Sequence, residues 1–180
     1  MKGLRSLVRK VGVGACLLAL LFEANSGVGA QSPATHNVTL DSFTVSSDGS
    51  GRTVVTMATG GDLLGSLTLM LDRAPDGSMR GEWALVVVDR QDIEVPPPAD
   101  APPGDNDAVG QVFTPKGSLT GKVTGGAIAL NDDGTLASLT AIQLNLNHGS
   151  LVFDGASGWG RVDANISDPQ ASSGSAMLVF

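Results

Sequence analysis

The sequence holds no tyrosine, two tryptophans, two histidines and one cysteine among 180 residues, and each shortage removes a class of chemistry. The cysteine, Cys16, lies within an amino-terminal apolar run, so residues 31–180 carry no thiol. Cysteine-protease chemistry, thiol redox exchange and zinc–thiolate centres are thereby excluded, and no disulfide framework is available. His36 and His148 are too few soft ligands for a transition-metal site. No serine has glycine at both −2 and +2, the spacing of a hydrolase nucleophile elbow, and Gly155-Ala156-Ser157-Gly158 lacks it. Basic residues are equally sparse. Residues 31–180 contain seven Lys and Arg against seventeen Asp and Glu, a net charge of −10, with the cations dispersed from Arg52 to Arg161. Phosphate backbones are bound by clustered cations, so no nucleic-acid partner is expected.

What is present begins with export. Lys2, Arg5, Arg9 and Lys10 precede an apolar run, Val11 to Phe22, of twelve residues. A membrane-spanning helix needs about 20. The run is followed by Val28-Gly29-Ala30, a small-residue pattern that places processing between Ala30 and Gln31. Residues 1–30 are read as a signal peptide, and the product as secreted or periplasmic, with no membrane association once the signal is removed. A lipid-modified cysteine should follow the apolar stretch, whereas Leu17 to Phe22 come after Cys16.

The remaining 150 residues are enough for one domain. They lack helical spacing and repeatedly alternate apolar with polar residues. Ile142, Leu144 and Leu146 share one face while Gln143, Asn145 and Asn147 share the other. Leu67, Leu69 and Leu71 do likewise, as do Met79, Gly81, Trp83, Leu85 and Val87. Turn chemistry punctuates these runs: Ala74-Pro75-Asp76-Gly77 predicts a hairpin, and Asn131-Asp132-Asp133-Gly134, Ser47 to Gly51 and Thr124-Gly125-Gly126 are read as turns. The expected strands are 37–46, 52–59, 63–72, 79–90, 118–123, 127–131, 136–147, 150–154, 159–166 and 175–180. The fold class is all-β, an antiparallel β-barrel of eight to ten short strands, with a β-sandwich as the alternative. Gly65, Gly81, Gly121 and Gly160 fit barrel bends and bulges. Five prolines between Val95 and Gly110 mark a Pro/Asp-rich loop, placed at 95–115 and read as an acidic flap over one barrel end.

Candidate sites are few. Asp105 and Asp107, or Asp132 and Asp133, offer hard oxygens to calcium, but neither has the spacing of a twelve-residue calcium loop, and Asx turns account for them better. Asp41, Asp72, Glu82, Asp89, Glu94 and Asp154 could supply a glycosidase pair, although stacking aromatics are scarce. His148 is placed in a turn, Trp83 in the core and Trp159 on the surface. Asn37-Val38-Thr39 and Asn165-Ile166-Ser167 are sequons. Val179-Phe180 ends an alternating strand as in outer-membrane barrels, yet short strands and few aromatics oppose that reading. No catalytic residue, metal or cofactor is assigned.

Residues 149–160, with Phe153 followed by Gly155-Ala156-Ser157-Gly158-Trp159-Gly160, resemble a segment of allene oxide cyclase and dirigent-like β-barrels and of secreted bacterial β proteins. The resemblance implies an eight-stranded antiparallel barrel with an apolar cavity, in which this segment is a hairpin with Phe153 inward on its first strand. It carries over no catalytic residue. The expected function is a non-enzymatic secreted module binding an apolar small molecule or an extracellular partner. The alternatives are a barrel enzyme steering cyclisation or isomerisation, with His148 or Glu82 taking part, and a structural or adhesive surface protein.

Overall fold

The computed structural model describes residues 33–47, 51–94, 109–133, 135–167 and 172–180. They form eight strands and no helix: β1 (Thr35–Ser47), β2 (Thr53–Gly61), β3 (Gly65–Arg73), β4 (Met79–Glu94), β5 (Val109–Leu130), β6 (Leu136–Leu151), β7 (Gly158–Asn165) and β8 (Ser173–Val179). Each strand pairs antiparallel with its sequence neighbours, and β1 pairs with β8, so the sheet is a closed barrel and not a sandwich. Reciprocal bonds between the backbones of Ala34 and Phe180 extend the closing seam by one pair.

The alternation read from the sequence sets the faces. Leu67, Leu69, Leu71, Met79, Trp83, Leu85, Val87, Ile142, Leu144 and Leu146 all point inward and are buried. Outward positions carry Thr56, Thr68, Glu82, Lys122, Gln143, Asn145 and Arg161. This greasy inside and polar outside reverses the pattern of a lipid-embedded barrel. An eight-stranded barrel is just wide enough for side chains to fill it. A void of about 300 Å³ would leave its lining accessible to a water-sized sphere, yet Val55, Met57, Leu69, Leu119, Ile142 and Val162 show no accessible surface. The interior is packed around Trp83, whose indole N–H donates to the Asn145 carbonyl at 3.1 Å. One end is capped by rings: His36 stacks on Phe180 at 4.6 Å, and Phe153 meets Phe180 edge-on at 5.9 Å.

Several expected boundaries are corrected. Thr124-Gly125-Gly126 is no turn: the strands expected at 118–123 and 127–131 are one, β5, whose register shifts on either side of Gly125. Asn147-His148-Gly149 is also internal to a strand. Thr120 faces His148 while Gly121 faces Leu146, which leaves Asn147 as the extra residue of a bulge and His148 exposed on β6. The strand expected at 150–154 is replaced by the end of β6 and a turn over 152–155, so Phe153 reaches the core from the turn and not from a strand. Of the loop placed at 95–115, residues 109–115 belong to β5, and 95–108 lie outside the described residues, as do the signal segment with Ala30 and Gln31, the tip 48–50, and Gly134. The turn at 74–77 forms as expected, with the Asp76 carboxylate accepting from the Ser78 amide and hydroxyl.

Candidate functional site

The barrel wall does not account for all of β4 and β5. Pairing of β3 with β4 ends at Gly65 and Val87, and pairing of β5 with β6 ends at Gly117 and Leu151. β4 and β5 nevertheless continue together from Val88 and Pro115 out to Glu94 and Val109. Lys116 is the extra residue of the bulge where they leave the barrel. The result is a two-stranded ribbon, about 20 Å long at ~3.3 Å per residue, with both outer edges unpaired beyond Val88 and Pro115 among the described residues.

Its composition is unlike that of the wall. Opposite residues of an antiparallel pair share a face, so Val88, Arg90 and Asp92 lie with Pro115, Phe113 and Gln111, while Asp89, Gln91 and Ile93 lie with Thr114, Val112 and Gly110. Phe113 is 54% exposed, and Val112 and Ile93 are exposed as well. At the base of the ribbon stand Val86, Leu151 and Val152, the last two 69% and 64% exposed. Leu151 has φ +55°, a conformation that costs a bulky residue about 1–2 kcal/mol. A leucine held in that strained state with its side chain in water is not explained by core packing. Among the described residues, six of the nine exposed large hydrophobics thus lie on this ribbon or where it joins the wall.

The polar residues singled out from sequence are scattered, and several are already paired. Asp72 pairs with Arg52, Glu82 with Lys122 and Asp89 with Lys116, each on the outer surface. The Lys122 ammonium holds the Glu82 carboxyl below the ordinary carboxylate range, so Glu82 is not poised as an acid. Asp133 accepts from the Thr135 amide and hydroxyl at 2.9 and 2.6 Å, an Asx turn, and these bonds lower its pKa. Asp105 and Asp107 lie outside the described residues. Among the described residues no group of three metal-ligating side chains converges. Asn37 is exposed on β1, and Asn165 accepts from the Ser167 amide and hydroxyl. Trp159 is 51% exposed, as expected. A hollow of about 350 Å³ between β1, β7 and β8 is lined by Asn37, Thr39, Arg161 and Asp163, but its two charges engage one another at 2.6 Å.

Asp163 has a structural task. Its carboxylate accepts from the Ala141 amide at 2.8 Å, and Ala141, at φ +51°, is the extra residue of a β6 bulge between Leu139 and Ile142. Hydrogen bonding from Arg161 lowers the Asp163 pKa most, burial opposes it, and the Ala141 amide adds a lesser lowering.

Sequence reasoning missed the ribbon because it assigned 95–115 to a loop. The signal available was Val109-Gly110-Gln111-Val112-Phe113-Thr114, an uncharged run rich in β-forming residues directly after the prolines. Compared with protein-family models, curated proteins and solved structures, the chain matches none.

Proposed function

We propose that the chain is a secreted, non-enzymatic binding module that presents the β4–β5 ribbon to an extracellular partner. The observation that carries this reading is the placement of exposed apolar side chains. The barrel has spent its inward-facing residues on a filled core, while Phe113, Val112, Ile93, Leu151 and Val152 face water at one end. Large apolar side chains left in water and gathered on one ribbon and its base, on both of its faces, are what an interaction site presents. A small molecule sheltered inside the barrel has no room beside Met57, Leu69 and Ile142, so the macromolecular half of the sequence-based expectation is the better supported.

The test is photo-crosslinking with benzoylphenylalanine in place of Phe113, in protein secreted by its native source. One discrete adduct is expected, competed away by purified wild-type protein and not by a Val112→Asp, Phe113→Asp variant. The same probe in place of Asn145, on the outer face of β6 within the barrel wall, should give none. Absence of any competed adduct at position 113 overturns the reading.

A further inference from the structure

Resting on that reading of the ribbon, we infer that its partner is a second copy of this chain, joined by two-fold antiparallel strand pairing through the edge of β5 that is unpaired among the described residues. The geometry fixes which backbone groups are available. The Val88 amide donates to the Leu64 carbonyl at 2.8 Å, on the side of β4 away from β5. In an antiparallel ladder the backbone groups of opposite residues either face one another or both face outward, alternating along the strand. Val88 and Pro115 are opposite and therefore form an outward pair. Stepping by two, Phe113 and Gln111 also direct N–H and C=O to the free edge of β5, whereas Thr114 and Val112 bond β4. Pro115, which has no N–H to offer, stands where the missing donor would have faced solvent, the position at which sheets tolerate proline.

The two edges of the ribbon differ in charge. The β4 edge carries Asp89, Arg90 and Asp92, the kind of side chains that block edge-to-edge pairing. The β5 stretch Val109–Pro115 carries no charge. That difference selects the occupant. With seventeen acidic and seven basic residues in 31–180, two copies repel almost everywhere, and six of the seven cations are already matched to carboxylates. The uncharged edge is where a like copy approaches without facing its own charge, while a basic peptide would find no carboxylate on β5 to hold it. Antiparallel pairing about a two-fold axis also sends the two barrels to opposite ends of the ribbon, farther apart than the screening length of about 8–10 Å at physiological salt. Two strands alone are marginally stable in water, and pairing converts two ribbons of two strands into one sheet of four.

Sedimentation equilibrium of the purified protein tests this. A monomer–dimer equilibrium is expected that tightens as sodium chloride rises, since salt screens the acidic barrels and leaves the uncharged edge unaffected. Gln111→Pro removes an outward N–H and spares the bonds to β4. It should weaken dimerisation about tenfold or more, because symmetry deletes each lost bond twice. Gln111→Lys should weaken it too, although that change reduces the net negative charge. Both variants should keep the wild-type circular dichroism spectrum and, at concentrations too low for dimerisation, the wild-type unfolding midpoint. A wild-type protein that stays monomeric at every concentration and salt, or a dimer indifferent to both variants, overturns the inference. If position 113 crosslinks only to a different protein, self-pairing fails while the partner-binding reading survives.

Discussion

At the scale of single residues, the fold is held by a few polar groups whose loss or change is readable. Thr59 is buried, and its hydroxyl has no hydrogen-bond partner. Leaving a hydroxyl unsatisfied costs about 1–3 kcal/mol, and valine has nearly the same shape. Thr59→Val is therefore expected to raise unfolding stability by about 1 kcal/mol in denaturant titration; a lower midpoint would mean that the hydroxyl is satisfied after all. Asp163 acts in the opposite sense. Its folded-state pKa lies below the ordinary 3.8 because the Arg161 hydrogen bonds, and then the Ala141 amide, favour the carboxylate. A depressed folded-state pKa adds stability above the unfolded value and loses it as pH falls through the folded one. The stability gap between wild type and Asp163→Asn should thus be present at pH 5–7 and close below about pH 4. A gap unchanged in acid would contradict the role given to this carboxylate.

At the scale of elements, alternation was legible and bulges were not. The inward faces through Leu67–Leu71, Met79–Val87 and Ile142–Leu146 follow from period-two spacing, because a wall with one buried face leaves that residue choice no freedom. Thr124-Gly125-Gly126 and Asn147-His148-Gly149 carry the residues of turns, but a bulge needs the same small or polar residues to absorb one extra residue without reversing the chain. Local composition therefore cannot separate them, and only the partner strand's register does. The ribbon was illegible for a related reason: both of its faces meet water, so nothing enforces alternation between Val109 and Pro115. Of the candidate site, the sequence supplied none of the ribbon residues: the exposed Phe113 and Leu151 emerged only from where the pairing stops. Gly121 shows what the strand glycines do. A Cβ there would lie 1.8 Å from the Asn145 carbonyl oxygen and 2.7 Å from Trp83 Nε1, so the bare backbone lets the indole cross β5 and bond β6. Gly121→Ala should destabilise by about 1–3 kcal/mol and alter the near-ultraviolet signal of Trp83. Gly155→Ala, at φ +76° with open space around it, should cost only its backbone strain and leave that signal intact. Equal spectra for the two variants would refute the assignment.

At the scale of the molecule, a packed barrel and a projecting ribbon divide the work. Closure pairs the strands through the wall, and open edges among the described residues are left where strands run past their neighbours: on β4 and β5 beyond Val88 and Pro115, on β1 past Leu40, and on β5 past Val123. Amide hydrogen exchange followed by NMR as a function of protein concentration addresses this division most directly. In dilute solution the amides of Val112 and Thr114, bonded to β4, should exchange slowly, while those of Gln111 and Phe113 exchange fast. At high concentration Gln111 and Phe113 should become protected, with the barrel amides unchanged. Uniformly fast exchange from Val109 to Thr114, or an alternating pattern that does not respond to concentration, would contradict the account.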